Sequence, residues 1–126
     1  MKVMIIEDEI LVLKTIEFKM KKQGFEVVSC TNGKEAIERM KIEKPDVIIT
    51  NMMMPGRTGL EVISAAKKLI RNVGVIVVSA LKQEKAIKEA FDLGADEFLP
   101  KPFNLNELVS RIKSLAVPER GNLALA

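Results

Sequence analysis

Apolar residues fall along this chain in two rhythms. Unbroken runs, Val3 to Ile6, Val47 to Thr50 and Val73 to Ser79, alternate with stretches of helical spacing. An unbroken run predicts a strand covered on both faces, the habit of a parallel sheet. Two shorter strands are predicted over Glu26–Cys30 and Glu97–Leu99. After the first strand, Leu11, Val12, Leu13, Ile16 and Met20 predict a helix with one broad apolar face. A second helix presents Ala36, Ile37 and Met40, and a third Leu60, Val62, Ile63, Ala66 and Ile70. A fourth runs from Gln83 to Leu93 with Ala86, Ile87, Ala90 and Phe91 inward, and a fifth to about Leu115.

Punctuation supports these boundaries. Gly24 before Phe25, and Gly94, sit where helix C-caps fall. Asn32…Glu35, Thr58…Glu61 and Asn104…Glu107 have capping-box spacing. Gln83 is a poor N-cap, so the fourth helix is expected to start weakly. Pro45 stops the second helix and biases Lys44 away from helical geometry. Pro55-Gly56 ends the third strand in a tight loop. Five strands alternating with five helices predict βαβ units with right-handed crossovers, and a parallel sheet with helices on both faces.

Composition narrows the class. The 126 residues suit one domain, and with 48% hydrophobic content a core needs no disulfide or structural metal. Cys30 is the lone cysteine and there is no histidine, so Cys/His zinc patterns are excluded and a reduced, cytoplasmic setting is predicted. Net charge is +3 with no Trp or Tyr, which is not the composition of a nucleic-acid surface. Lys19, Lys21 and Lys22 read as the solvated end of the first helix. No apolar run reaches membrane-spanning length, and M-K-V-M-I-I-E-D lacks the layout of a signal peptide. The stretch from Pro118 to Ala126 reads as a linker or disordered tail.

Candidate chemistry gathers where the strands end: Glu7-Asp8 after the first, Asn51 after the third, Ser79 after the fourth and Lys101 after the fifth. A parallel sheet places these ends on one edge, where open α/β sheets bind ligands. Oxygen donors suit Mg²⁺, while a hydroxyl and an ammonium suit a phosphoryl group. Taken singly, each residue is ordinary. Glu7-Asp8 could be a helix N-cap, Asn51 a turn residue, and Ser79 a loop cap; Met52–Met54 and Phe98 could be core, and Lys101 a surface lysine. Their ordered placement, one per strand end, argues for a site.

Four stretches together, I-I-E-D-E at 5–9, P-D-V-I-I-T-N-M-M-M-P-G at 45–56, V-V-S-A at 77–80 and G-A-D-E-F-L-P-K-P-F at 94–103, carry a resemblance. The sequence resembles a bacterial two-component response-regulator receiver domain (CheY-like) over residues 1–116, with 117–126 left as linker or tail. The resemblance implies a flavodoxin-like doubly wound sheet of five parallel strands in the order 2-1-3-4-5, with five helices on both faces. It implies a signalling module rather than an enzyme, phosphorylated on an aspartate by a histidine kinase or phosphotransfer protein. It implies Glu7 and Asp8 as Mg²⁺ ligands with the backbone carbonyl of Met53, and Ser79 and Phe98 as switch residues. Lys101 would pair with the phosphoryl group and precede a cis bond to Pro102. Partner binding or weak homodimerisation would use the fourth helix, fifth strand and fifth helix, about Gln83–Leu93, Glu97–Leu99 and Asn104–Leu115.

One position departs from the family. The phosphoacceptor aspartate aligns with Asn51, a neutral amide without a nucleophilic lone pair. No acyl phosphate is expected there, and Mg²⁺ should bind more weakly. Two explanations stand: an Asp→Asn change in an otherwise working receiver, or a natural pseudo-receiver that signals by binding alone. An enzyme on a diffusible substrate is disfavoured, because there is no histidine and no Gly-rich dinucleotide loop, and a flavin site is disfavoured because E-D-E after the first strand would repel phosphate.

Overall fold

The computed structural model describes residues 1–54, 57–80 and 82–115. The tail expected after residue 116 lies outside them. The elements are β1 (Lys2–Ile6), α1 (Ile10–Lys22), β2 (Glu26–Cys30), α2 (Gly33–Glu43), β3 (Val47–Asn51), α3 (Gly59–Leu69), β4 (Gly74–Ser79), α4 (Glu84–Asp92), β5 (Glu97–Pro100) and α5 (Leu105–Leu115). The strands form one sheet in the order β2-β1-β3-β4-β5, with every pair parallel. This is the flavodoxin-like arrangement expected from the sequence.

The pleat explains the unbroken apolar runs. Met4, Ile6, Val28, Cys30, Ile48, Val75 and Val77 point into one core, which α2, α3 and α4 close with Ala36, Met40, Val62, Ile63, Ala66 and Ala90. The alternate residues Val3, Ile5, Val47, Ile49, Ile76 and Val78 point into the other, closed by Leu13, Ile16 and Met20 of α1 and Leu108, Val109 and Ile112 of α5. Because side chains alternate across the sheet, both sets must be apolar.

Local chemistry fixes the helix ends. Gly24 (φ 87°) and Gly94 (φ 116°) are left-handed. Phe25 N–H donates to Met20 O, and Ala95 N–H to Ala90 O, so both ends are Schellman motifs. Thr58 and Glu61 complete both arms of a capping box. Asn104 Oδ1 accepts from the N–H of Asn106 and of Glu107, but the Glu107 carboxylate turns to Arg111 instead of back to the cap. Gln83 makes no side-chain cap bond, as expected. Lys44 leaves α2 in left-handed geometry (φ 46°) rather than the extended geometry favoured before proline.

Two expectations about the core are corrected. Leu11 is 84% exposed, because the buried stripe of α1 runs through residues 13, 16 and 20. Phe91 is 44% exposed, since α4 buries only Ala90 fully. Of the three methionines after Asn51, Met52 is buried, while Met53 is 62% exposed where the chain turns away from the sheet.

Candidate functional site

The strand register builds the site. Ile6 pairs with Thr50, Asn51 with Val78, and Ser79 with Pro100. Glu7 therefore emerges beside Asn51, and Lys101 just beyond the end of β4. The Lys101 N–H donates to Ser79 O at 2.8 Å, which ties the two strand ends together, and the Lys101-Pro102 bond is cis.

Glu7 is the buried centre of the cluster, only 2% exposed. Its Oε1 accepts from Lys101 Nζ at 2.8 Å. Its Oε2 accepts from the Glu9 N–H at 3.0 Å and from Asn51 Nδ2 at 3.3 Å. Asp8 lies outside at the exposed rim, and its Oδ1 accepts from the same Asn51 Nδ2 at 3.3 Å. Asn51 Oδ1 accepts from the Met52 N–H at 2.9 Å. The helix N-cap is Glu9, which makes no side-chain cap bond, so Glu7 and Asp8 do not cap α1. The acids face the sheet edge.

Glu7, Asp8, Asn51 and Lys101 thus form one connected network. Ser79 is 2% exposed at the end of β4, beside the lysine's backbone. Phe98 is half-buried and lines a cleft of about 480 Å³ with Lys82, Ile87, Pro100, Lys101 and Pro102. Cys30 plays no part: it is fully buried, and burial pushes its thiol up to about 12.

Two glycines, Gly33 and Gly59, shape the loop after β3, a role that the sequence reading did not assign to them. A Cβ on Gly59 would lie 2.5 Å from Asn51 O and 2.7 Å from Met52 Cα. A Cβ on Gly33 would lie 2.4 Å from Arg57 O. Both contacts are with backbone, which cannot swing aside. Both glycines occupy the first helical position, directly after the caps Asn32 and Thr58, so no capping preference marked them.

The donor types suit a hard divalent cation, but their arrangement does not. One oxygen of Glu7 is held by an ammonium, and the other oxygen and that of Asp8 face an N–H₂ group. Among the described residues, no three histidine, cysteine, aspartate or glutamate side chains converge.

A model of the response regulator receiver domain matches residues 3–113. The receiver domain of the Francisella response regulator 1452 is 30% identical, with a TM-score of 0.84 over 91% of this chain and 95% of that one. A receiver domain protein from Clostridium thermocellum is 27% identical, with a TM-score of 0.88 over 98% of each chain. A CheY-like receiver domain protein from Methanospirillum hungatei shares the fold at 21% identity, with a TM-score of 0.91 over 96% and 97% of the two chains. The chain belongs to the response regulator receiver domain family. Receiver domains are signalling modules of two-component systems; they generally bind Mg²⁺ at their phosphorylation site and interact with histidine kinases or phosphotransfer proteins. Among the described residues no helix is long and apolar enough to cross a membrane.

Proposed function

We propose that this domain is a two-component receiver in which Asn51 stands where family members carry the phosphorylated aspartate, so that it does not accept a phosphoryl group there. The supporting observation is the position of Asn51 at the end of the central strand, 3.3 Å from both Glu7 and Asp8. Acyl phosphate formation needs a carboxylate oxygen to attack phosphorus while positive charge offsets the phosphoryl oxygens. Lys101 and Ser79 would supply the ammonium and hydroxyl, but a carboxamide supplies no such nucleophile.

The remaining roles follow from that reading. Glu7, Asp8, Asn51 and the backbone carbonyl of Met53 form the metal set. Mg²⁺ is held weakly by it, because the amide removes a negative charge and aims its N–H₂ at the acids. Ser79 and Phe98 act as the switch pair, and Phe98 and Lys101 line the same cleft. The partner is a cytoplasmic histidine kinase or phosphotransfer protein. The face of α4, β5 and α5 serves weak homodimerisation or an output partner. Its charges are mixed, with Lys88 pairing to Asp92 and Arg111 to Glu97 and Glu107, which suits specific polar contacts rather than general adhesion. Residues 1–116 form the receiver, and 117–126 a linker or tail.

A second reading, a natural pseudo-receiver acting as a phosphorylation-independent interaction module, has one observation in its favour. The Asn51 amide is fully engaged, its oxygen by Met52 N–H and its nitrogen by both acids. Both readings require that the unaltered protein, treated with acetyl phosphate and Mg²⁺, shows no added phosphoryl group by intact mass. Labelling at another acidic residue would overturn them.

A further inference from the structure

A buried carboxylate needs compensating charge or donors, since an isolated one is too costly to remove from water. Glu7, 2% exposed, has three: Lys101 Nζ at 2.8 Å, the Glu9 N–H at 3.0 Å and Asn51 Nδ2 at 3.3 Å. The same Nδ2 also lies 3.3 Å from Asp8 Oδ1. The amide cannot face the other way. Reversing it would set its N–H₂ against the Met52 N–H and its oxygen against two carboxylates, so the network itself assigns oxygen and nitrogen. The edge turned toward the acids is therefore the positive edge of the carboxamide dipole.

We propose that the Asn51 carboxamide is the built-in counter-group of this acidic pair. It bridges Glu7 and Asp8 with N–H₂ where a divalent cation would have to bridge them, so amide and cation are alternative occupants of one place. To admit a cation, the amide must give up the Met52 bond and both carboxylate contacts together. Because it is neutral, the amide leaves two carboxylates facing one ammonium, and the surplus negative charge resides on Asp8 at the exposed rim, where water screens it. An aspartate at the same place would set three carboxylates against Lys101 and create a demand for the cation. One side-chain group thus decides whether this sheet edge depends on metal. The inference deepens the receiver reading above; its test involves no phosphorylation, so either can fail alone.

The full chain, Asn51→Ala and Asn51→Asp are melted with EDTA and with MgCl2. The unaltered protein should melt within ~1 °C in both, because a site this weak stays largely empty at ~10 mM Mg²⁺. Asn51→Ala removes the amide without adding charge. It should melt lower than the unaltered protein in EDTA and regain roughly 5 °C in ~10 mM Mg²⁺. Asn51→Asp should depend on Mg²⁺ at least as strongly. The proposal is overturned if the unaltered protein gains as much from Mg²⁺ as Asn51→Ala does, or if Asn51→Ala is as indifferent to Mg²⁺ as the unaltered protein. Should either variant fail to fold, the Asn51 side-chain N–H₂ resonances of the unaltered protein decide. They should stay in place as Mg²⁺ is raised to ~10 mM, and a saturating shift would overturn the proposal.

Discussion

Replacing Lys101 by methionine keeps most of the side-chain volume and removes one charge beside Glu7, the most buried carboxylate among the described residues. The two side chains are 18% and 3% exposed and meet at 2.8 Å. Breaking a buried ion pair from one side typically costs about 3–5 kcal/mol, because the remaining charge is stranded. Two features reduce that here. Glu7 keeps the Glu9 N–H and Asn51 Nδ2 as donors, and the departed lysine opens a path for water at the sheet edge. A loss of about 2 kcal/mol follows, which for a chain of this size corresponds to a fall in Tm of roughly 8 °C. Glu7→Gln alone should cost less, because the stranded lysine reaches solvent more readily than the stranded glutamate. The double variant should be more stable than the sum of the two losses implies, with a coupling of about 1–2 kcal/mol. Urea unfolding of the four proteins at neutral pH, with the slope unchanged, supplies every term. A loss below about 0.5 kcal/mol for Lys101→Met, or additive single variants, would refute the claim that this pair neutralises the pocket.

Gly59→Ala should destabilise by about 2 kcal/mol or more in urea unfolding, because its Cβ would meet the backbone of Asn51 and Met52, which cannot yield; a neutral result would mean that the loop after β3 is not clamped there. Stability should fall in acid. The Ser29 hydroxyl lowers the Glu17 carboxyl, Lys2 that of Glu43, and the Thr58 N–H that of Glu61, all from an ordinary 4.5. Depressed carboxyls stabilise above their unfolded value and lose that contribution as pH falls through the folded one. The urea midpoint should therefore decline below about pH 4.5, less steeply in Glu61→Gln; a midpoint rising into acid would contradict the assignment. Sedimentation should show weak association that weakens when Lys88 or Arg111 is changed to glutamate, and association that both changes leave untouched would remove α4, β5 and α5 from the interface.

The sheet was legible because its three central strands are buried on both faces, which leaves few polar interruptions from Val3 to Ile6 or from Val73 to Ser79. Helix existence was legible from one-sided apolar spacing and from the caps, but helix orientation was less so. Leu11 and Phe91 fit an apolar face by spacing alone, yet which edge of that face is covered depends on where the neighbouring helix lies. The site's members could be read from the strand ends. Their connections could not, since the bond from Asn51 to Glu7 joins residues 44 apart and depends on the pairing of β1 with β3. The steric role of Gly59 was hidden behind its place in a capping box, because backbone approach leaves no mark on the surrounding sequence.

The central claim is that only the chemistry of one side chain separates this domain from a working phosphoacceptor. Asn51→Asp changes an amide into a carboxylate of nearly the same shape at the end of β3, beside Glu7 and Asp8. Intact mass spectrometry after treatment with acetyl phosphate and Mg²⁺ tests it most directly. One added phosphoryl group is expected on the variant, lost in mild base or hydroxylamine as an acyl phosphate is, and none on the unaltered protein. A folded Asn51→Asp variant that binds Mg²⁺ yet takes no label would contradict it.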